Sequence, residues 1–389
     1  MAHSVPQFEP TRRSTALNAA DGVSSRPMNN FSDKVNFIWS IAELLRGDYK
    51  ASEYGRVILP LVVLRRLDCV LEPTKESVLA LAGDPRLGGV ERVLNQAAGQ
   101  SFSNKSALTF RKLLDDPGQV AGNLGNYING FSSVARETFE KFDFEGQIAR
   151  LEEAGILFQV IQKFANIDLH PDAVGNQEMG YIFEELIRRF SEQSNETAGE
   201  HFTPREVVHL MVDLLFLEDN SLLSDRGVIR TLYDPACGTG GMLSVAQERV
   251  RQLNDSTQLH VFGQEINDES YAICRSDMLI RNQDATHIAA GNSFSKDGFA
   301  GERFDYFLCN PPFGVDWKKV ERAIRDEHDK KGMAGRFGAG LPRINDGSLL
   351  FLQHMIAKWN PPEPVGSRLA IVFNGSTVFP SDAGSLDGP

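Results

Sequence analysis

The sequence predicts an α/β fold, a mainly parallel sheet with helices on both faces, preceded by an α-helical N-terminal domain. Three observations predict it. From Val228 onward, short apolar runs alternate with helical patterns, at Val228 to Tyr233, Leu259 to Gln264, His287 to Ala290, Phe304 to Cys309 and Leu369 to Phe373. Alternation at this spacing makes successive strands parallel, with the crossovers packed on the two faces. A glycine-rich turn follows the first run and opens a helix, the local unit of doubly wound sheets. Ahead of these, apolar residues recur at three- and four-residue spacing, as at Phe37, Ile41, Leu44 and Leu45 and again at Leu157, Val160, Ile161 and Phe164. That is the period of helices.

Taken in order, Met1 to Pro27 is rich in Ser, Arg and Pro with few apolar residues, and is expected to be disordered. Met28 offers an alternative start. Residues 28–167 form the helical domain, with helix and turn segments over Arg111 to Gly130. Ile167-Asp168-Leu169-His170-Pro171 marks the connection into a second domain, 168–389. There Gly180 to Phe190 and Pro204 to Leu217 read as helices, Pro204 at a first-turn position, with a polar loop from Ser191 to Gly199 between them. Gly314 to Gly347 reads as a long loop. It holds Gly332, Gly335, Gly338 and Gly340, and eight basic residues amid acids. Loops of this length are functional or disordered, so it is either an element that closes on a ligand or a solvated connector.

The chain has 389 residues, 41% hydrophobic and 24% charged, enough for two domains and a sizeable core. No apolar run is long enough to span a bilayer and no signal peptide is visible, so a cytoplasmic protein with no membrane partner is expected. Cys69, Cys237, Cys274 and Cys309 show no C-x-x-C or Cys/His zinc spacing, so no metal site is expected. Cys237 and Cys309 read as core residues. The net charge of −12 is unlike that of a protein that binds nucleic acid alone, which is usually basic.

The chemistry concentrates at strand ends. Asn310-Pro311-Pro312-Phe313 follows the fourth apolar run. Two prolines forbid helix and block ladder pairing, so the strand must stop there. The Asn310 side-chain oxygen and the Pro311 carbonyl are two fixed acceptors beside an aromatic ring. They suit a planar guest with an exocyclic amino group, such as adenine. That nitrogen is a poor nucleophile because its lone pair is delocalised. Two acceptors favour a more pyramidal nitrogen, by positioning and electrostatics rather than covalent catalysis. Phe313 would stack on the base, which would have to flip out of a duplex. The plainer alternative is a strand-terminating proline turn with a core phenylalanine.

Asp234-Pro235-Ala236-Cys237-Gly238-Thr239-Gly240-Gly241 is the glycine turn after the first run. It is not G-x-G-x-x-G and no phosphate-loop lysine follows, which favours a nucleoside smaller than a dinucleotide or triphosphate. Glu265 ends the second run. An acid about 20 residues beyond the glycines hydrogen-bonds ribose hydroxyls in nucleotide-binding α/β folds.

With these residues in hand, the chain resembles S-adenosylmethionine-dependent N6-adenine DNA methyltransferases. More narrowly, it resembles the modification (methyltransferase) subunit of type I restriction-modification systems. Glu200-His201-Phe202-Thr203-Pro204-Arg205 stands where that family keeps its Phe-Thr-Pro cofactor motif. Asp346 to Met355 resembles its helix after the catalytic loop, and Arg368 to Ser376 the following strand and loop. Phe37 to Gly47 and Ile58 to Leu67 resemble its helical domain. The match runs from about Phe31 to the C-terminus. At the third strand many methyltransferases place an acid for the cofactor adenine, whereas this chain has Gly291-Asn292-Ser293-Phe294, leaving Asn292 for that contact. A complete fold of this class has two further strands, so the C-terminal edge is expected to be truncated.

The resemblance implies a Rossmann-like methyltransferase domain that methylates adenine N6 in double-stranded DNA. S-adenosylmethionine would be framed by Asp234 and the Gly238–Gly241 turn, closed over by Thr203 and Pro204, and held at the ribose by Glu265. Asn310 and Pro311 would hold the target amino group. No metal is required, because the sulfonium supplies the electrophile. The implied partners are a specificity subunit, a restriction subunit and a second copy of the modification subunit. The acidic balance agrees with target binding that depends on another subunit. Two rivals stay open: a methyltransferase acting on an rRNA or protein amide nitrogen, and a subunit that binds cofactor and partner without methylating.

Overall fold

A computed structural model describes residues 31–193, 203–219, 223, 225, 227–312, 314–362 and 366–373. The sheet consists of β1 Ile229–Asp234, β2 Gln258–Glu265, β3 Ile288–Ala290, β4 Tyr306–Cys309 and β5 Arg368–Ile371. Their order is β3-β2-β1-β4-β5 and every pairing is parallel. Each apolar run read from the sequence becomes a strand, with ends shifted by one or two residues. The chain starts in the middle of the sheet, builds outward through β2 and β3, then returns to lay β4 on the other side of β1. The loops leaving β1 and β4 therefore diverge and open a crevice at the carboxyl ends of these two neighbours. The glycine turn leaves β1, and Asn310-Pro311-Pro312 leaves β4.

Burial explains the strands. Tyr306, Phe307, Leu308 and Cys309 are all buried, as expected for a strand covered on both faces. On one face Tyr233, Phe299, Phe304, Phe307 and Met355 form an aromatic cluster, in which Tyr233 and Phe304 stack at 5 Å or less, with ring centroids 4.8 Å apart. The other face is continuous with the helical part. There the helix Tyr54–Leu71 is apolar on nearly every side and almost wholly buried, the mark of a central helix. Leu157, Val160, Ile161 and Phe164 are buried, and so are Ile41 and Leu45, while Phe37 and Leu44 are partly covered. The helices Asn176–Gln193 and Asp268–Ile280 lie against Tyr54–Leu71. One apolar core thus runs from the N-terminal helices into the sheet.

The segment from Gly314 to Gly347 departs from the expected long loop. It contains the helix Glu321–Lys331. Trp317, Ile324 and Phe337 form a small core of their own with Phe294 and Leu350. The acid–base pairs Glu321–Arg325, Asp326–Lys330 and Glu327–Lys331, each four residues apart, support that helix. They outweigh the glycines, which fall after its end. Of the polar loop expected from Ser191 to Gly199, residues 191–193 belong instead to the helix Asn176–Gln193, and the rest lies outside the described residues. No described helix is long and apolar enough to cross a membrane. Residues 1–27 and the C-terminal edge beyond Phe373 lie outside the described residues.

The join between the two parts depends on Arg66, which is fully buried. Its guanidinium donates to the carbonyls of Leu169 and Val174 and to Asn176 Oδ1, at 2.7 Å in the last case. It thereby gathers the segment that links the helical part to the sheet. Arg66→Met keeps most of the volume but leaves these acceptors without donors, at about 1–3 kcal/mol each. We expect urea unfolding to show a loss of at least about 3 kcal/mol from these acceptors together. A loss below about 1 kcal/mol would mean that water replaces the guanidinium.

Candidate active site

A cavity of about 540 Å³ opens at the β1/β4 crevice. Its floor is the glycine turn, through Ala236, Cys237, Gly238, Thr239 and Gly241. One wall is Glu265, Ile266 and Asn267, and the opposite wall is Asn310, Pro311 and Pro312. Thr203, Val315, Phe351 and the loop from Gly291 to Phe294 complete it.

The turn has this shape because only glycine permits it. Gly238 and Gly240 have φ of +54° and +86°, in the left-handed region that disfavours a side chain. A Cβ on Gly240 would also lie 2.7 Å from Cys274 Sγ. Gly241 starts the helix Gly241–Leu253 at the cavity floor. Glu265, the last residue of β2, fixes the turn. Its Oε2 accepts the Gly238 N–H at 2.9 Å and its Oε1 accepts the Asn267 N–H at 2.7 Å. A carboxylate has about four acceptor sites, so capacity remains toward the cavity.

Asp234 ends β1 beneath the turn, fully buried. Its Oδ1 accepts the Ala236 N–H at 2.9 Å, and the Cys309 thiol lies against the same carboxyl. Burial pushes its carboxyl up to about 7, only partly opposed by the Ala236 hydrogen bond, and the Glu265 charge adds to the rise.

Asn310 is held by Thr203. Its Nδ2 donates to Thr203 Oγ1 at 2.9 Å, while its Oδ1 is buried with no donor. The Thr203 hydroxyl thus uses the nitrogen end of the amide and leaves the oxygen end open. Pro311 is buried and Pro312 exposed.

The remaining predicted site residues divide. Asn292 lines the cavity, but its Oδ1 is engaged by the N–H groups of Phe294 and Ser295 at 2.9 and 3.1 Å. Pro204 caps the helix Arg205–Phe216. Arg205 faces a separate cavity, where it pairs with Glu184 at 2.8 Å. Pro235 lines the main cavity, and Gly240 lies behind it. Glu200, His201, Phe202 and Phe313 lie outside the described residues. Cys237 and Cys309 are buried free thiols, as core packing requires.

Several residues in and behind the cavity were not read as site residues from the sequence. Ile266 is 65% exposed, and an uncovered isoleucine directly after the strand-ending acid offers an apolar wall for a flat ring. Ser293 Oγ donates to the Pro235 carbonyl at 2.6 Å, stitching the β3 loop to the glycine turn. Gln264 is buried and ties down the same loop, donating to the carbonyls of Gly291 and Lys296 and accepting from Gly298 N–H. Behind it, Arg336 donates to the carbonyls of Ser293 and Phe294 at 2.9 and 2.7 Å and pairs with Glu327 at 2.7 Å. Burial would raise the Glu327 carboxyl, but Arg336 holds it down to about 2. Arg336 also meets His354 Nδ1 at 3.1 Å, and the Tyr233 hydroxyl meets Nε2 at 3.2 Å. A guanidinium only donates, so Nδ1 accepts and Nε2 carries the proton. Burial pushes the imidazole down to about 3, which keeps it neutral.

A parallel sheet with a glycine turn after β1, an acid closing β2 and a ligand-sized cavity at the switch point defines the Rossmann-like methyltransferase class. The N-6 DNA Methylase family matches residues 175–385, more than half of the chain, and the chain belongs to that family. The HsdM N-terminal domain matches residues 34–164. The resemblance to type I modification subunits is thereby met. The MjaIX methylase subunit of a type I restriction enzyme from Methanocaldococcus jannaschii is 23% identical over 381 residues, 91% of this chain and 62% of its own length. The EcoEI methylase subunit from Escherichia coli is 30% identical over 176 residues, 42% of this chain and 33% of its own. The chain therefore spans less than two thirds of either relative. The type I restriction-modification methyltransferase subunit from Streptococcus thermophilus has the same fold, with a TM-score of 0.68 and 22% identity over 88% of this chain and 74% of that one.

Asp234 gives a pH test. Its folded pKa of about 7 lies above its ordinary value of 3.8, so ionising it costs native stability. The protonated form's contribution is intact below about pH 4 and is lost as pH rises through about 7. Asp234→Asn carries no charge and keeps the Oδ1 acceptor. We expect it to melt above the parent at alkaline pH, with the gap closing as pH falls from about 7 toward about 4. A gap independent of pH would mean that Asp234 does not titrate in this range.

Proposed function

We propose that this chain transfers a methyl group from S-adenosylmethionine to adenine N6 in double-stranded DNA, acting as the modification subunit of a type I restriction-modification complex. The observation that carries the reading is the Asn310 carboxamide, whose buried oxygen has no donor while Thr203 occupies its nitrogen. A buried acceptor left unpaired is costly unless a ligand satisfies it. The exocyclic amino group of a flipped adenine is a donor of the right kind. Asn310 and the Pro311 carbonyl would hold its two N–H bonds, and Phe313 would stack on the base.

The cavity also fits the cofactor. Its volume lies within the range of small-molecule sites. The glycine turn lets backbone approach closely, Glu265 retains acceptor capacity for ribose hydroxyls, and Ile266 offers a face for a flat ring. Bound there, the cofactor supplies an electrophilic methyl group on sulfur. Thr239 and Gly241 would frame its methionine end, with Asp234 bracing the turn from beneath rather than touching it, and Asn292 would reach its base through the amide nitrogen. The specificity subunit, the restriction subunit and a second modification subunit are the proposed partners, supported by the names of the relatives and by the HsdM N-terminal match.

Two substitutions test separate halves of the site. Glu265→Ala should weaken S-adenosylmethionine binding about tenfold or more by calorimetry, the worth of one or two charge-assisted hydrogen bonds at roughly 1.5–3 kcal/mol. Asn310→Ala should abolish methylation of a target duplex supplied with the specificity subunit while leaving cofactor affinity within a few-fold. If Asn310→Ala lost cofactor binding to the same degree, the loop would be structural. If the parent bound cofactor but never methylated with its partners present, the chain would be a binding subunit.

A further inference from the structure

The segment after the Asn310 loop gathers three bases about a helix N-terminus, beside the acid Glu321 of its first turn. The N-terminal end of a helix carries partial positive charge and favours acids. Lys318 and Lys319 stand just before the helix Glu321–Lys331 and Arg322 is its second residue, and all three are exposed. Among the described residues, none of the three has an ion-pair partner within 4.0 Å. Neighbouring bases do: Arg325 pairs with Glu321 at 2.8 Å, Lys330 with Asp326 at 3.5 Å and Lys331 with Glu327 at 3.7 Å. Of the nearby acids, Glu321 is thus engaged, and the Asp316 carboxylate accepts the Lys318 N–H at 3.1 Å. Three exposed cations thus stand together without an ion pair in a chain with a net charge of −12.

Its place is fixed. Val315 lines the same cavity as Asn310 and is 52% exposed at its mouth. Two residues on, Trp317 is buried with Ile324 and Phe337 against Phe294, which also lines the cavity. The Trp317 N–H and Nε1–H are bonded to the carbonyls of Ile344 and Arg343 at 3.0 and 2.9 Å. Arg336 then clamps the segment to the Ser293 and Phe294 carbonyls. The three cations are therefore carried on a packed platform beside the cavity mouth.

We infer that Lys318, Lys319 and Arg322 bind the phosphate backbone of duplex DNA next to the base delivered to Asn310. This rests on the reading of the substrate as DNA. Phosphates are the anions that accompany a flipped base, and they accept from Lys and Arg side chains. Such contacts set register without reading sequence. They would let an acidic chain hold the strand where its own chemistry occurs.

The test is the salt dependence of duplex binding by the full chain, followed by fluorescence anisotropy between about 50 and about 200 mM salt. The triple variant Lys318→Gln, Lys319→Gln, Arg322→Gln should lose about 2.7 from the slope of log affinity against log salt, at about 0.9 per phosphate contact. Its melting temperature and calorimetric S-adenosylmethionine affinity should match the parent. The control Lys330→Gln, Lys331→Gln, at the far end of the same helix, should keep the parent slope. A triple variant with the parent slope overturns the inference and leaves the DNA reading standing, and so does a control that loses as much. If the parent chain alone binds no duplex even at low salt, the titration is made with the specificity subunit present, and a complex that still binds none overturns the DNA reading, and the platform with it.

Discussion

The carboxamide of Asn310 can turn either its oxygen or its nitrogen toward the cavity; a hydroxyl can pair with either end, and in the structure that of Thr203 accepts from the nitrogen. With the nitrogen bonded at 2.9 Å, the oxygen is left buried and unpaired. The reverse orientation would offer a donor and repel an amino group. The proposed chemistry therefore depends on a hydrogen bond between two loops far apart in sequence. The rest of the fold serves to hold those loops. The two prolines end β4 so that Asn310 stands at its tip. The adjacency of β1 and β4 brings the glycine turn opposite. Thr203 arrives just ahead of the helix Arg205–Phe216, whose buried face lies against β5 and β4.

The same site sets two carboxyls in different surroundings. Asp234, sealed beneath the turn, has its proton held tighter by burial. Glu265, half-buried at the end of the neighbouring strand, is tied by two backbone N–H groups. One bond from Glu265 reaches Gly238, so the acid proposed to hold ribose also sets the shape of the turn beneath it. Loss of Glu265 is thus felt in both places, whereas Asn310 is coupled to Thr203 and stands on the opposite wall.

Much of this was legible in the sequence, for physical reasons. β4 is covered on both faces and apolar throughout, and the other runs announced themselves by their regular alternation with helical patterns. Paired prolines and a glycine turn mark strand ends whatever surrounds them. The helix Glu321–Lys331 was hidden because its apolar anchors, Trp317, Ile324 and Phe337, are sparse among charges and glycines follow it. Its i,i+4 acid–base pairs were the available signal. The Thr203–Asn310 bond and the Arg336–His354–Tyr233 chain could not be read, because they join residues that only the folded sheet brings together. Ile266 was readable in principle, as an apolar residue that outlasts its strand.

The most direct measurement is single-turnover methyl transfer by Thr203→Val with the specificity subunit, a target duplex and saturating S-adenosylmethionine. Valine keeps the shape of threonine and removes the hydroxyl, so the Asn310 amide is free to turn. The account predicts a transfer rate lower by about tenfold, the worth of one hydrogen bond, with calorimetric cofactor affinity unchanged. An unchanged rate, or a fall in rate matched by an equal loss of cofactor affinity, would contradict it.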